Sequence, residues 1–193
     1  MRNRFGMGVV GAALAISSLA VVMSAQAPAA PPQGAPAAQS VAVANPTYTS
    51  IVMEMAVNRP AAEVWKRVGK YCDIGEWMRI PCSITAGKDG EVGAVRSVVN
   101  EVLVGKTDLS YTYTQPVREG RPYNLYHGTL EARPVDAKSS KLVYTLVYDN
   151  SLVQGDDAAK KADLERRRTM FTRALNNMKT LAEGGTLAAP AAR

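Results

Sequence analysis

Histidine is almost absent from this sequence, because a single histidine, His127, occurs among 193 residues. A protein metal site needs several clustered histidine, cysteine or carboxylate ligands, and no nucleophile elbow for serine chemistry is visible. His127 alternates with Tyr126 and Gly128 in a strand-like segment, so its side chain is predicted to point to the opposite face from theirs. The sequence therefore predicts a surface or strand-edge role for His127, and it predicts neither a metal nor a cofactor.

A phosphate-binding loop is also missing, although three glycines punctuate the segment GKDGEVGAVRS. Such a loop needs Gly-Lys-Ser/Thr leading into a helix. Here Lys88 is followed by Asp89, and the segment continues into strand-like sequence. Because glycine supplies positive φ angles and close backbone approach, we expect Gly87, Gly90 and Gly93 to shape a hairpin at the rim of a pocket.

Acidic residues are missing from the N-terminal quarter of the chain. The chain opens with the basic sequence MRNR, an apolar run and the small-x-small sequence AQA, which together are typical of a secretory signal peptide. We expect residues 1–27 to be removed, with cleavage after Ala27 or Ala29, and the protein to be periplasmic or secreted. The alternative is a membrane anchor, but the run is marginal for spanning about 30 Å of hydrocarbon, so no stable span is expected after cleavage.

Periodic sequence is lacking on both sides of the central region. Residues 28–46 and 184–193 are dominated by small residues and proline, and such segments bury too little apolar surface to offset their ordering entropy. We predict a disordered linker at 28–46, a disordered tail at 184–193, and one domain at 47–183 that is large enough for a single core.

The net charge is +6. The basic run AKKADLERRR is predicted to be a solvated helix face, because a nucleic-acid interface would interleave aromatic residues.

Cysteine occurs only twice, as Cys72 and Cys82. In an oxidising compartment such a pair can form a disulfide, and closing a loop of this length would stabilise the fold by about 3 kcal/mol. The alternative is that both are small buried apolar side chains. The sequence leaves both interpretations open.

The central region combines strand-like alternation with helical periodicity. YTSIVMEMAVN predicts a strand, RPAAEVWKRVGKY a helix, and DIGEWM a second short helix in which Asp73 and Glu76 have capping-box spacing. Six further strand-like segments follow, separated by polar turns. Residues 156–183 predict a long helix that begins at Asp156 and Asp157. Its apolar stripe comprises Leu164, Phe171, Leu175 and Met178. This order predicts an α+β fold in which the last helix covers a curved antiparallel sheet.

Four motifs occur in a fairly specific order: EWMRIPCSITAGKDGEVGAVRSV, LSYTYTQP, YNLYHGTLEARP and KLVYTLVYD. They resemble the START, birch-pollen-allergen and polyketide-cyclase superfamily (SRPBCC) over about residues 49–182. The resemblance implies a helix-grip fold, with a seven-stranded antiparallel sheet wrapped around a long C-terminal helix and two short helices after the first strand. It also implies an internal cavity for a lipid, sterol, hormone or polyketide. The sequence departs from the pattern at the short hairpin between Arg96 and Glu101, and at Tyr144, where many members carry tryptophan.

Tyrosine is the abundant aromatic residue, with eight tyrosines against two phenylalanines. Its apolar body and polar tip suit an amphipathic ligand, although tyrosine is also an ordinary strand former. Arg96 and Glu101 are candidates for a charged pair in the pocket or for exposed strand charges, and Glu101 is the candidate acid or base. The predicted ligand-binding residues are Ile80, Arg96, Glu101, Tyr111, Tyr113, Tyr126, Gly128, Phe171, Leu175 and Met178.

The resemblance and the tyrosines together predict binding, for carriage or sensing, of a small hydrophobic or amphipathic molecule in the periplasm. The alternative is a polyketide cyclase/dehydratase-like enzyme in which Glu101 or a tyrosine transfers a proton. A third interpretation is a protein-interaction module with a collapsed cavity, in which the basic residues around 166–168 contact a partner. No nucleic-acid partner is predicted, and only transient membrane or protein contacts are expected.

Overall fold

The computed structural model of the chain describes residues 45–118 and 120–188. The predicted signal peptide lies outside the described residues, as do residues 28–44 of the predicted linker and 189–193 of the predicted tail. The described residues form seven strands and three helices. In chain order these are β1 (Tyr48–Val57), α1 (Ala61–Val68), α2 (Ile74–Met78), β2 (Ile84–Ala86), β3 (Val95–Arg96), β4 (Glu101–Thr107), β5 (Ser110–Thr114), β6 (Asn124–Pro134), β7 (Ser140–Asp149) and α3 (Asp157–Ala182).

The seven strands form one antiparallel sheet in the order β1-β7-β6-β5-β4-β3-β2. β1 pairs with β7 along its whole length, from Tyr48 opposite Asp149 to Val57 opposite Ser140. α3 packs on β1 and β7 and buries Phe171, as well as Leu175 and Met178, against the sheet. The predicted helix-grip architecture, with α1 and α2 after the first strand, is therefore confirmed.

The strands β2 and β3 are shorter than the sequence predicts. IPCSITAG and EVGAVRSVV read as full strands, but only three and two of their residues pair. Proline at position 81 has no backbone N–H to donate. Beyond β3, Val99 and Asn100 both have a φ of 53°, which turns the chain sharply into β4. The hairpin between Arg96 and Glu101 is accordingly as short as the sequence indicates.

The predicted capping box at α2 is wrong. Asp73 stands at the N-cap with a helical φ of −62° and makes no side-chain cap, whereas an effective N-cap residue is extended. Its Oδ2 instead accepts a hydrogen bond from the backbone N of Lys70 at 2.8 Å. Both carboxylate oxygens of Glu76 accept from Arg67 at 2.7 Å. At α3, by contrast, the Asp156 side chain accepts from the backbone N of Ala159 at 3.0 Å, so that predicted cap is confirmed.

Two smaller predictions of local structure are confirmed elsewhere in the sheet. Gly87, Gly90 and Gly93 have φ angles of 71°, 73° and 93°, so the turn between β2 and β3 uses the freedom that only glycine has without strain. His127 lies half-buried on the outer face of β6, and its Nδ1 is 3.0 Å from the carbonyl oxygen of Leu125. β6 is a central strand, so the role of His127 is at the surface and not at a sheet edge.

Candidate functional site

A row of tyrosines covers the concave face of the sheet. Four buried tyrosines point to the same face of the sheet: Tyr111 and Tyr113 on β5, Tyr126 on β6 and Tyr148 on β7. Their ring centroids follow one another at 6.5, 6.2 and 5.9 Å. Gly128 lies opposite Tyr113 in the register, and a Cβ added there would be 2.4 Å from the Tyr113 ring. The absent side chain of Gly128 therefore provides the space for that ring.

The space between the tyrosine row and α3 is filled by side chains. The hydroxyls of Tyr113 and Tyr144 are 2.9 Å apart, and the ring of Phe171 lies 4.6 Å from that of Tyr144. Leu175 and Met178 are fully buried beside them. Burial raises the pKa of both Tyr113 and Tyr144, so these hydroxyls stay protonated. The helix residues predicted to line a cavity thus pack in the same buried core as the tyrosines predicted to line it.

Arg96 and Glu101 form a buried ion pair at one end of the row. Arg96 donates from Nε to Glu101 Oε2 at 2.7 Å and from a terminal nitrogen to the carbonyl oxygen of Tyr71 at 2.7 Å. Its guanidinium carbon lies 4.4 Å from the ring centroid of Tyr71 and 4.7 Å from that of Tyr113. The other oxygen of Glu101 accepts from Gln115 at 2.8 Å. Both oxygens of the carboxylate are thus occupied within the protein.

The pKa values of this pair follow from burial and charge. Burial raises the pKa of Glu101 by more than Arg96 and Gln115 lower it. Burial also opposes the charge on Arg96, but the neighbouring Tyr111 and Glu101 outweigh that effect and raise the pKa of the guanidinium. Arg96 therefore remains a fixed positive charge against the tyrosine rings, a cation–π arrangement that is strengthened where water is excluded.

A second buried cation stands at the other end of the row. The Arg167 guanidinium carbon lies 4.4 Å from the ring centroid of Tyr148 and 4.6 Å from that of Tyr123. Arg167 Nε donates to Asp163 at 2.8 Å, and the Tyr148 hydroxyl donates to the same carboxylate at 3.0 Å. Burial is the main cause that raises the pKa of Tyr148 to about 12. Both ends of the tyrosine row are therefore closed by an arginine whose charge is balanced inside the protein.

An open groove of about 310 Å³ borders the Arg96 end of the row. We call it the α1 groove. Three aromatic side chains build one wall: Trp65 from α1, Tyr71 from the loop after α1, and Tyr111 from β5. The exposed Lys70 and Lys106 stand at the edge of the groove. The ring centroids of Trp65 and Tyr111 are 5.6 Å apart. The groove thus offers an apolar wall, and two lysines and the carboxylate of Asp89 stand around it.

One wall residue of the α1 groove has an unused polar group. The Tyr71 hydroxyl is buried and has no hydrogen-bond partner within residues 45–118 and 120–188. The Tyr111 hydroxyl is also buried, and Arg96 is the cation that faces it. Burial raises the pKa of Tyr71, so this hydroxyl is a hydrogen-bond donor. Leaving a buried donor unpaired is costly, and a polar ligand atom or a water at this wall would remove that cost.

The structure brings part of the predicted ligand-binding set together. Arg96 and Glu101 contact each other beside Tyr113, and Tyr111 is the member of the set that lines the α1 groove. Ile80 is half-buried after α2 and packs against the edge of the core, and its backbone N donates to the carbonyl oxygen of residue 75 at 3.2 Å. The remaining members pack in the core between the sheet and α3.

Sequence reasoning missed most wall and edge residues of the groove, among them Trp65, Tyr71 and Lys106. Trp65 is next to Val64 in the sequence of α1, whose Val64 and Val68 are buried, so nothing in the sequence distinguishes it from a core residue. Tyr71 ends the segment predicted as a helix, but α1 stops at Val68 and Tyr71 lies in the loop that follows. Lys106 falls in the segment GKTD, which the sequence predicts as a turn, whereas the structure places it in β4. The loop that holds Tyr71 is fixed by the disulfide between Cys72 and Cys82, whose Cα atoms are 5.5 Å apart.

The family model for polyketide cyclase/dehydrase and lipid transport proteins matches residues 48–183. Similar solved structures include a protein from Thermobifida fusca determined by NMR, at 20% identity and a TM-score of 0.58 over 72% of this chain and 97% of that one. Truncated norcoclaurine synthase from Thalictrum flavum is similar at 12% identity and a TM-score of 0.54 over 75% of this chain and 99% of that one. A protein from Nitrosospira multiformis is similar at 19% identity and a TM-score of 0.51, over 67% and 96% of the two chains. No curated protein matches the chain.

Proposed function

Because the chain belongs to the polyketide cyclase/dehydrase and lipid transport family, we propose that its domain binds a small amphipathic molecule at the α1 groove, for carriage or sensing. The observation that supports this most strongly is the buried, unpartnered hydroxyl of Tyr71 in the wall of that groove. The volume of about 310 Å³ is at the lower end of the range of about 300–1,000 Å³ for ligand pockets. The ligand is therefore small, of the size of a short lipid or a compact aromatic metabolite.

The groove contacts the apolar body of the ligand and its polar end with different side chains. Trp65, Leu103 and Tyr111 take the apolar body, and each Å² of apolar surface removed from water contributes about 25 cal/mol. The Tyr71 hydroxyl donates to a polar atom of the ligand at the wall. The exposed ammonium group of Lys70 at the edge favours a ligand whose outer end is acidic. Specificity then comes from few polar groups on a mostly apolar surface, as in most small-molecule sites.

The surroundings of the Glu101 carboxylate favour a ligand-binding function over an enzymatic function that needs proton transfer. The carboxylate is 3% exposed, and its two oxygens accept hydrogen bonds from Arg96 and Gln115. A general acid or base needs hydrogen-bond reach to the substrate, and this carboxylate faces protein groups. Its role in this proposal is to fix Arg96, which in turn holds the loop at the Tyr71 carbonyl and the rings on either side.

We also propose that the protein works outside the cytoplasm. The signal-peptide pattern of the N-terminus supports this location, and so does the disulfide between Cys72 and Cys82, because disulfides persist mainly in oxidising compartments. Fractionation of cells, followed by the intact mass of the purified chain, tests the proposal. A chain that begins after Ala27 or Ala29 in the periplasmic or secreted fraction supports it, and an uncleaved chain in the cytoplasm would overturn it.

Titration with the amphipathic fluorophore 1-anilinonaphthalene-8-sulfonate tests binding at the groove. In Ser110→Trp an indole replaces a small side chain that lines the groove, and its matched control, Ser50→Trp, adds the same indole on the exposed side of β1. We expect Ser110→Trp to lose at least about tenfold in affinity and Ser50→Trp to keep it. Tyr71→Phe is expected to weaken binding by about three- to tenfold, since a net hydrogen bond contributes about 0.5–1.5 kcal/mol. Equal affinities for the two tryptophan variants, both folded by circular dichroism, would overturn the site.

A further inference from the structure

We infer that the face formed by α2 and α3 docks on a membrane surface that carries anionic phospholipids. The face holds an open groove of about 370 Å³, which we call the α2–α3 groove. Its walls include Met78 and Arg79 from the end of α2 and Met170 and Arg173 from α3, with Trp77 below them. The α2–α3 groove shares no residue with the α1 groove, so this inference does not depend on the proposed function.

The charge of the α2–α3 groove is uncompensated. Its lining residues include two arginines and no aspartate or glutamate. Within the part of the chain that the structure describes, neither Arg79 nor Arg173 has a carboxylate at ion-pair distance, although other arginines do. Among the described residues, the Arg79 side chain donates to the carbonyl oxygen of Ala188, while the backbone N–H of Arg79 donates to the carbonyl oxygen of Gly75. Two cations that face one groove without a counter-charge favour an anionic partner.

Apolar side chains stand between these cations. Met170 is 43% exposed, and Met78 is half-buried against the core. On α3, Met170 and Arg173 are three residues apart, so they lie on one face of the helix. Arg166, four residues before Met170 on that face, is paired with Asp163 and is not counted among the free cations. An exposed stripe that combines arginine with methionine fits the interface between lipid headgroups and acyl chains, where basic side chains meet phosphate and apolar ones insert.

The backbone at Arg79 supports a role for its side chain. Arg79 ends α2 with φ 59° and ψ 48°, the left-handed conformation, in which glycine is the preferred residue at a helix end. A side chain is strained at this position, and such strain persists at functional sites when the surrounding structure holds it. Glycine would relieve the strain but would remove the guanidinium from the groove. Stability and membrane binding are thus expected to respond in opposite directions to Arg79→Gly.

Vesicle binding of the purified, processed chain tests the inference. Sedimentation with vesicles of phosphatidylcholine alone and with an equal mixture of phosphatidylcholine and phosphatidylglycerol gives the two partition coefficients. We expect binding to the anionic vesicles only, and weaker binding as salt rises. Arg79→Gly and Arg173→Gln should each lower the coefficient about fivefold. The double variant Arg121→Gln/Lys138→Gln is the control, because it removes two exposed cations that flank β6 and that have no ion pair among residues 45–118 and 120–188.

Two further measurements separate docking from a loss of structure. Arg79→Gly is expected to melt at the wild-type temperature or above it, so weaker vesicle binding by this variant cannot come from unfolding. Trp65→Phe leaves Trp77 as the single tryptophan of the chain, and brominated lipid in the anionic vesicles should quench its emission. Three results would overturn the inference: equal binding to neutral and anionic vesicles, no vesicle binding, or a partition coefficient that falls as much in the control variant as in Arg79→Gly and Arg173→Gln. Binding of a soluble anionic amphiphile without vesicle binding would also overturn it.

Discussion

Replacing Gly128 with alanine is expected to push the Tyr113 ring out of its place in the core. The new Cβ would lie 2.4 Å from Cζ and Oη of Tyr113, well inside the separation of about 3.5–4.0 Å that carbon atoms prefer. Tyr113 cannot move freely, because it is 1% exposed and its hydroxyl bonds to that of Tyr144. Overpacking costs about 1–3 kcal/mol, and a lost hydrogen bond about 1 kcal/mol more. We therefore expect Gly128→Ala to destabilise the domain by about 2–4 kcal/mol.

Chemical denaturation of the variant and of a matched control measures this cost. Gly105 also lies in a strand, but the nearest heavy atom to an added Cβ there is Cβ of Thr112 at 4.0 Å. Gly105→Ala is expected to change the free energy of unfolding by less than about 0.5 kcal/mol. The shorter side chain in Gly128→Ala/Tyr113→Leu should recover part of the loss. Equal stabilities of the two alanine variants would refute the position of the Tyr113 ring and, with it, the tyrosine row.

Three further predictions concern polar and covalent links in the domain. Glu101→Gln is expected to destabilise by about 3–5 kcal/mol, because it leaves Arg96 buried without a counter-charge. Arg96→Met/Glu101→Leu should cost much less in the same denaturation assay, and an equal cost would contradict the pairing. Reduction of the bond between Cys72 and Cys82 is expected to cost about 3 kcal/mol for a loop of this length, seen as a lower melting temperature in reductant. Burial alone would raise the pKa of Asp149, but hydrogen bonds from neighbouring backbone and serine groups hold it below its usual value. The stability from Asp149 is thus present above a pH of about 3.9 and lost as pH falls through the lowered pKa, so Asp149→Asn should lose less stability on acidification than the wild type.

The order of elements and the parity of the tyrosines could be predicted from the sequence because both depend on local patterns. Alternation within β5 places Tyr111 and Tyr113 on one face, and alternation within β6 places His127 on the face opposite Tyr126. That Tyr126 shares the face of Tyr113 depends on the register between β5 and β6. The spacing of Phe171 and Leu175 likewise follows from helical periodicity. The alternation and the helical spacing each lie within one element, so they can be recognised without knowledge of tertiary contacts, whereas the strand register cannot.

The α1 groove could not be predicted in this way. It forms where the loop after α1 meets the turn between β2 and β3 and the hairpin of β4 and β5, and no local pattern encodes that meeting. Arg96 illustrates the same limit, since its pairing with Glu101 rests on a tight turn of two residues with positive φ. The capping box at Asp73 failed because Arg67, nine residues before Glu76, competes for its carboxylate.

The most direct test of binding at the α1 groove is native mass spectrometry of the wild-type chain and of Ser110→Trp, both purified from the same cells. The binding proposal predicts a wild-type chain that carries the additional mass of a small molecule and a variant that has lost it, while Ser50→Trp keeps it. Solvent extraction of the wild-type protein then identifies the chemical class of the ligand. Equal occupancy of the wild-type chain and Ser110→Trp, whether both carry the molecule or neither does, would contradict the proposal.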